Sequence, residues 1–122
     1  MVENSNSKTY DLEERTYIYA RDVKSYLRQL LRTTSNIEYE RQGIRSSGSV
    51  AANYIEANES FSRKDFIFRA KISKKETKET KLWLRLSDPI KEQEIEKERL
   101  IQESNELMKI FGSIVEKSEH RS

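Results

Sequence analysis

Two stretches of the chain carry side chains whose types and spacing could do chemistry. Arg45, Asn53 and Glu56 fall in "RSSGSVAANYIEANES", and Glu76 and Glu79 fall in "KISKKETKETKLWL". At about 100° per residue along a helix, Arg45, Ser49, Ala52 and Glu56 share one stripe, and Ile72, Glu76, Glu79 and Trp83 share another. If the two helices are neighbours, a carboxylate of the second stripe can meet Arg45. Asn53, which both donates and accepts, can then complete a polar cluster of Arg45, Asn53, Glu56 and Glu79 between them. The competing reading is a set of solvated charges, since charged residues are seldom buried unless paired. Catalysis here would require Glu76 or Glu79 to act without a histidine nearby.

Other catalytic chemistry is poorly supplied. The one histidine, His120, lies near the C-terminus, so neither a helix-borne Glu-x-x-His di-iron site nor a histidine-based triad can be built. There is no glycine-rich phosphate loop. Cysteine is absent, which removes disulfides, thiolate nucleophiles and cysteine-bound zinc, and points to a reducing compartment, the cytoplasm by default. The carboxylates of "EQEIEKE" read as a solvated face, and a carboxylate-only magnesium site is the one metal chemistry left open. No catalytic residue, metal site, cofactor or small-molecule substrate is therefore expected, and the protein is read as a non-enzyme.

Binding chemistry is better represented. Lys71, Lys74, Lys78, Lys81 and Arg85 form a basic stripe of about three and a half turns, and Arg21, Lys24, Arg28 and Arg32 form another. The net charge of +2 argues little by itself, but its distribution is uneven. Ser60 to Ser87 holds nine Lys/Arg against three Asp/Glu, or +6, while Asp88 to Glu119 holds five against nine, or −4. A ridge of this length can follow a phosphate backbone. No aromatic residue interleaves the stripe from Lys71 to Arg85, so contact would be charge-driven, without base stacking or sequence readout. An ordinary solvated face is the plainer alternative.

These side chains must be positioned by helices. With three Gly and one Pro in 122 residues, few period-two segments and long 3–4 spacings, the sequence predicts four helices. Asp11 can cap the first, whose seam is Leu12, Thr16, Tyr19, Val23, Tyr26 and Leu30. A turn near residue 34 precedes the second, which resumes near Asn36 with Ile37, Ile44, Gly48, Ala51 and Ile55 on the core face. Small residues beside that face would let a neighbouring helix approach closely. Ser60 or Ser62 caps the third, with Phe66, Ala70, Ser73, Thr77, Thr80 and Leu84 inward, and "SDP" at Ser87 to Pro89 ends it. Leu100, Ser104, Leu107, Phe111 and Ile114 mark the fourth. Short connections make this an all-α, antiparallel up-down-up-down four-helix bundle, one domain over residues 10–117, with polar tails at 1–9 and 118–122. No apolar run approaches the roughly 20 residues of a membrane span, and "MVENSNSK" lacks the pattern of a signal peptide.

The stretches "DLEERTYIYARDV", "RSSGSVAANYIEANES", "SRKDFIFRAKISKKETKETKLWLRL" and "LIQESNELMKIFGSIV" resemble the four-helix-bundle proteins encoded in intervening sequences of bacterial 23S ribosomal RNA genes. The resemblance spans about residues 10–117 and rests on Arg45, Ser46, Ser49, Val50, Asn53, Glu56, Ser62, Asp65, Phe66 and Glu79. That family is similar to the accessory protein of diversity-generating retroelements, a helical bundle that forms a pentameric ring and contacts RNA and reverse transcriptase. The resemblance thus implies a bundle, a homo-oligomer and an RNA partner. Apolar residues beyond one core's needs agree with association: Ile101, Met108 and Val115 beside the fourth seam, Ile72 and Trp83 beside the third, and Tyr17, Ile18 and Phe68 off the main faces. The expected function is a self-assembling, ring-forming adaptor with electrostatic binding of RNA or another nucleic acid. The alternative is a protein adaptor without a nucleic-acid role, whose basic ridge takes an acidic partner.

Overall fold

The computed structural model describes residues 12–120. The expected tail at 1–9, the cap at Asp11 and the last two residues of the chain lie outside them. Four helices follow in order: α1 (Leu12–Arg28), α2 (Thr34–Asn58), α3 (Arg63–Leu86) and α4 (Glu94–Glu119), with a short 3-10 turn at Lys91–Gln93 leading into α4. They pack as the antiparallel up-down-up-down bundle that the short connections demand. Each helix packs on its neighbours in sequence, and α1 and α4 meet less closely. No helix among the described residues is long and apolar enough to cross a membrane.

Local chemistry sets the boundaries. Glu13 and Glu14 open α1 and Arg28 closes it, each sign favourable to the helix dipole. The Thr33 hydroxyl accepts from the Asn36 amide at 3.1 Å to start α2, and the Ser62 hydroxyl accepts from the Asp65 amide at 3.1 Å to start α3. Ser87 is extended, ending α3 ahead of Pro89. The fourth helix runs further than the tail at 118–122 allowed. Ser118 and Glu119 are helical, and the His120 amide donates to the Glu116 carbonyl at 3.2 Å.

The expected seams of α1 and α3 are the buried ones, apart from Phe66, which is half-buried against the core. On α4, Val115 is buried where Ile114 was expected, with Ile114 half-buried beside it. The face of α2 is different. Ile37 and Ile55 are exposed, Gly48 looks onto open space, and the buried residues are Asn36, Gly43, Ser46, Ser47, Val50, Tyr54 and Ala57. This is a rotation of roughly a third of a turn from the isoleucine face. Hydroxyls make it possible. Ser46 Oγ and Thr80 Oγ1 lie 2.6 Å apart, Ser73 Oγ donates to the Val50 carbonyl at 2.9 Å, and Thr77 and Thr80 bond back to their own helix. The close approach involving α2 is to α1 at Gly43, where an added Cβ would fall 2.5 Å from Leu27 Cδ1.

The same chemistry continues toward α4, where the Tyr19 hydroxyl lies 2.6 Å from Ser104 Oγ. Burial raises the Tyr19 phenol above its ordinary pKa, so it stays neutral and works as a hydrogen-bonding group. The wider α1–α4 contact is bridged by charge. Arg15 grips Glu103 in two hydrogen bonds of 2.7 and 2.9 Å, and Arg99 donates to Asp22 at 2.9 Å.

One buried amide ties two connections together. Asn36 is 2 % exposed, and its Nδ2 donates to the Leu31 and Asp88 carbonyls at 3.0 and 3.1 Å while its Oδ1 accepts from the Asp88 amide at 3.0 Å. Asn36→Ala strands all three backbone groups and is expected to cost about 2–3 kcal/mol. Asn36→Asp, which keeps only the acceptor, should also destabilise. Urea denaturation of both variants checks this, and unchanged midpoints would remove the tie.

Candidate functional site

The polar side chains singled out on α2 and α3 do not form one cluster. Arg45 Nη2 donates to Glu79 Oε1 across the helix pair, and the same nitrogen lies 3.8 Å from Glu76 Oε1. Asn53 sits two turns further along α2. Its amide donates to the Ser49 carbonyl and hydroxyl, both at 3.0 Å, and its oxygen accepts from Arg69 Nη1 at 3.0 Å. Glu56 is exposed beyond that, on the last turns of α2, where its carbonyl accepts from Ser60 Oγ. The reason is helix rise: at about 1.5 Å per residue, one guanidinium cannot serve the whole stripe. Arg69, which the sequence reading did not single out, is the cation that serves Asn53.

Arg45 therefore faces two carboxyls. Glu76 is the more enclosed, its side chain 12 % exposed, and its Oε1 is buried without a hydrogen-bond partner. Desolvation raises its pKa above the ordinary glutamate value, and the Glu79 charge raises it further, against the lowering effect of Arg45 and Lys75. One turn beyond Glu79, Trp83 stacks on Tyr39 with ring centroids 6.2 Å apart, and its indole nitrogen is also buried without a partner. Among the described residues, no three carboxylate, histidine or cysteine side chains converge as metal ligands would.

The basic stripe of α3 lines an open groove against α4. Lys71, Lys74, Lys75 and Lys78 stand along one wall, over Met108, Gly112 and Val115, with Glu116 and Glu119 at one end. The groove continues past Lys81, Leu82 and Arg85. An added Cβ at Gly112 would sit 3.3 Å from Lys74 Nζ, so the missing side chain leaves room for Lys74 to lie across α4. Lys75 belongs to this wall although it lies off the Lys71–Arg85 stripe. Glu79 also borders the groove. Among the described residues, Lys71 is the one member of the stripe held in an ion pair, with Glu119 at 2.9 Å.

The second basic stripe differs. Arg21 is bonded to Asp22 at 3.2 Å, and Arg28 and Arg32 both reach Glu40 of α2, Arg28 at 4.0 Å. Lys24 is exposed. Three of the four cations of that ridge thus have a carboxylate beside them, which lowers the potential they offer a ligand.

Residues 8–113 match the model of a family described as 23S rRNA-intervening sequence protein. Among solved structures, the chain is similar to a Bacteroides thetaiotaomicron protein described as being of unknown function and from the S23 ribosomal protein family. The identity is 29%, the TM-score 0.73, and the alignment covers 85% of this chain and 94% of that one. No curated protein matches the chain.

The enclosed carboxyl gives the α2–α3 site a measurable signature. Because Glu76 binds its proton more tightly folded than unfolded, its contribution to stability is fullest below the unfolded pKa and is lost as pH rises through the folded one. Glu76→Gln removes that loss, so the stability of the variant relative to the parent should increase from pH 4 to pH 7. Paired urea titrations at the two pH values test this, and a difference that is flat or falls with pH would contradict it.

Proposed function

The chain belongs to the 23S rRNA-intervening sequence protein family, and from that premise we propose that it is a non-enzymatic, self-associating bundle that holds RNA through its phosphate backbone. The observation that carries this reading is the α3–α4 groove. Lys74, Lys75, Lys78, Lys81 and Arg85 stand along it without an ion-pair partner among the described residues, whereas the ridge from Arg21 to Arg32, whose last member lies past the end of α1, is largely neutralised. Cations already facing carboxylates gain little from a phosphate, and unpaired ones release counterions when it binds. The α4 floor of Met108, Gly112 and Val115 has no aromatic ring for a base to stack on, so binding would be tolerant of sequence.

Self-association supplies the strength that one groove lacks. Repeating the ridge on each copy, in the pentameric ring implied by the family resemblance, turns weak contacts into avidity. A protein-adaptor reading is favoured by one observation, the Lys71–Glu119 pair, in which the ridge already accepts a carboxylate from an acidic helix. In that reading an acidic protein segment takes the place of RNA.

Salt dependence separates the two. RNA of unrelated sequences should be retained at about 50 mM salt and released steeply as salt rises. Lys74→Ala and Lys78→Ala should each lower the slope of log affinity against log salt by roughly one, and Arg28→Ala should change it less. Absence of retention at low salt, or equal effects of the α1 and α3 variants, would overturn the RNA reading.

A further inference from the structure

The outward face of α3 carries a second seam that the bundle does not use. Phe68, Ile72, Lys75, Glu79, Leu82 and Leu86 step by 4, 3, 4, 3 and 4, the spacing of a helix face that packs on another helix. Phe68, Leu82 and Leu86 are 57 %, 43 % and 44 % exposed, Ile72 is half-buried and Lys75 is exposed. Three large apolar side chains left in water along one helix mark a surface that is covered by something.

The order of residues says what covers it. Reversed about Thr77, the seam has the same chemistry in both directions. Phe68 mirrors Leu86, Ile72 mirrors Leu82, and Lys75 mirrors Glu79. We infer that this face binds a second copy of the same chain, α3 against α3 in antiparallel, across a two-fold axis on the outward side of the helix at the level of Thr77. A two-fold contact requires a surface to complement itself, so that each residue meets its mirror. Here apolar meets apolar at both ends, and two Lys75–Glu79 pairs form at the centre. A parallel or one-turn-shifted pairing would set charges against apolar groups or against like charges. Glu79 Oε1 is occupied by Arg45, which leaves the second oxygen for the lysine of the other copy. The lysine ridge runs along one side of this seam, so pairing would place two ridges next to each other, a repulsion that bound phosphate would relieve.

This rests on the self-association of the proposed function; the seam shares Lys75 and Leu82 with the basic groove, whose other cations, Lys74, Lys78, Lys81 and Arg85, lie outside it. A two-fold contact is satisfied by two copies, so a ring needs a different surface, and the seam then joins ring to ring. The seam is one helix face about 27 Å long, short beside a standard interface, and pairing should depend on protein concentration.

The test is a charge swap read by sedimentation or native mass. With rising concentration the parent should double its copy number, from one to two or from single rings to paired rings. Leu82→Glu and Lys75→Glu should each weaken pairing at least tenfold with helicity unchanged. Glu79→Lys alone should also weaken it, and an equimolar mixture of K75E with E79K should recover a one-to-one pair, because each repelling face then meets its complement. A parent that stays single at every concentration overturns both this inference and self-association. A parent that associates but never doubles its copy number with concentration, associates unaffected by K75E and L82E, or yields no mixed pair overturns the seam and leaves other self-contacts standing. RNA retention by Phe68→Glu, which breaks the seam at a residue that does not line the groove, reports separately on the groove.

Discussion

Hydroxyl burial is the constraint from which the rest of the bundle follows. Four long helices with few leucines cannot fill a core with hydrocarbon alone, so Ser46, Ser73, Thr77, Thr80 and Ser104 occupy central positions and hydrogen-bond there. Small hydroxyl residues let α2 and α3 pack closely, while each buried oxygen needs a partner, because an unpartnered one would cost far more than its contact returns. That requirement fixes the rotation of α2. It turns the serine face inward and leaves Ile37 and Ile55 at the surface.

The rotation in turn sorts the charges. With Ser46 facing Thr80, Arg45 comes to the edge of the α2–α3 interface, beside Glu79 and the enclosed Glu76. The lysines of α3 are left on the other flank, above α4. Carboxylates satisfy cations on the α1 side and across the α1–α4 contact, whereas the α3–α4 groove keeps an excess of positive charge. One helix thus serves the core with one face, an acidic pair with the second, and a basic ridge with the third.

The architecture was largely legible because three helices repeat apolar or hydroxyl residues at 3–4 spacing, and Ser62 and Pro89 mark boundaries by known local chemistry. The face of α2 was not, since hydrophobicity alone ranks Ile37 and Ile55 above Asn36 and Ser46, and the satisfaction of those polar groups depends on residues far away in the chain. The Arg45–Glu79 meeting could be anticipated from paired stripes. Its separation from Asn53 could not, because Arg69 had no visible claim on that amide. The residues carrying the family resemblance turn out to be mostly structural. Ser46 and Val50 are buried in the core, Ser62 caps a helix, and Phe66 packs on the core. A motif of this kind identifies the fold strongly and says little about ligands.

The tie at Asn36 makes the two ends of the bundle unequal. Where the α1–α2 and α3–α4 connections meet, the links are enclosed: Asn36 to Leu31 and Asp88, and the Tyr26 hydroxyl to Ser87 at 2.8 Å. At the far end the cross-links are surface ones, Asn58 to Glu13 at 2.7 Å and Lys71 to Glu119 at 2.9 Å. Dissolved ions weaken ties of the second sort and scarcely reach the first. Rising ionic strength weakens exposed ion pairs at both ends, Arg32–Glu40 as well as Lys71–Glu119, but the enclosed ties at Asn36 and Tyr26 persist, so the bundle is gripped more firmly at that end, like a hand held at the wrist.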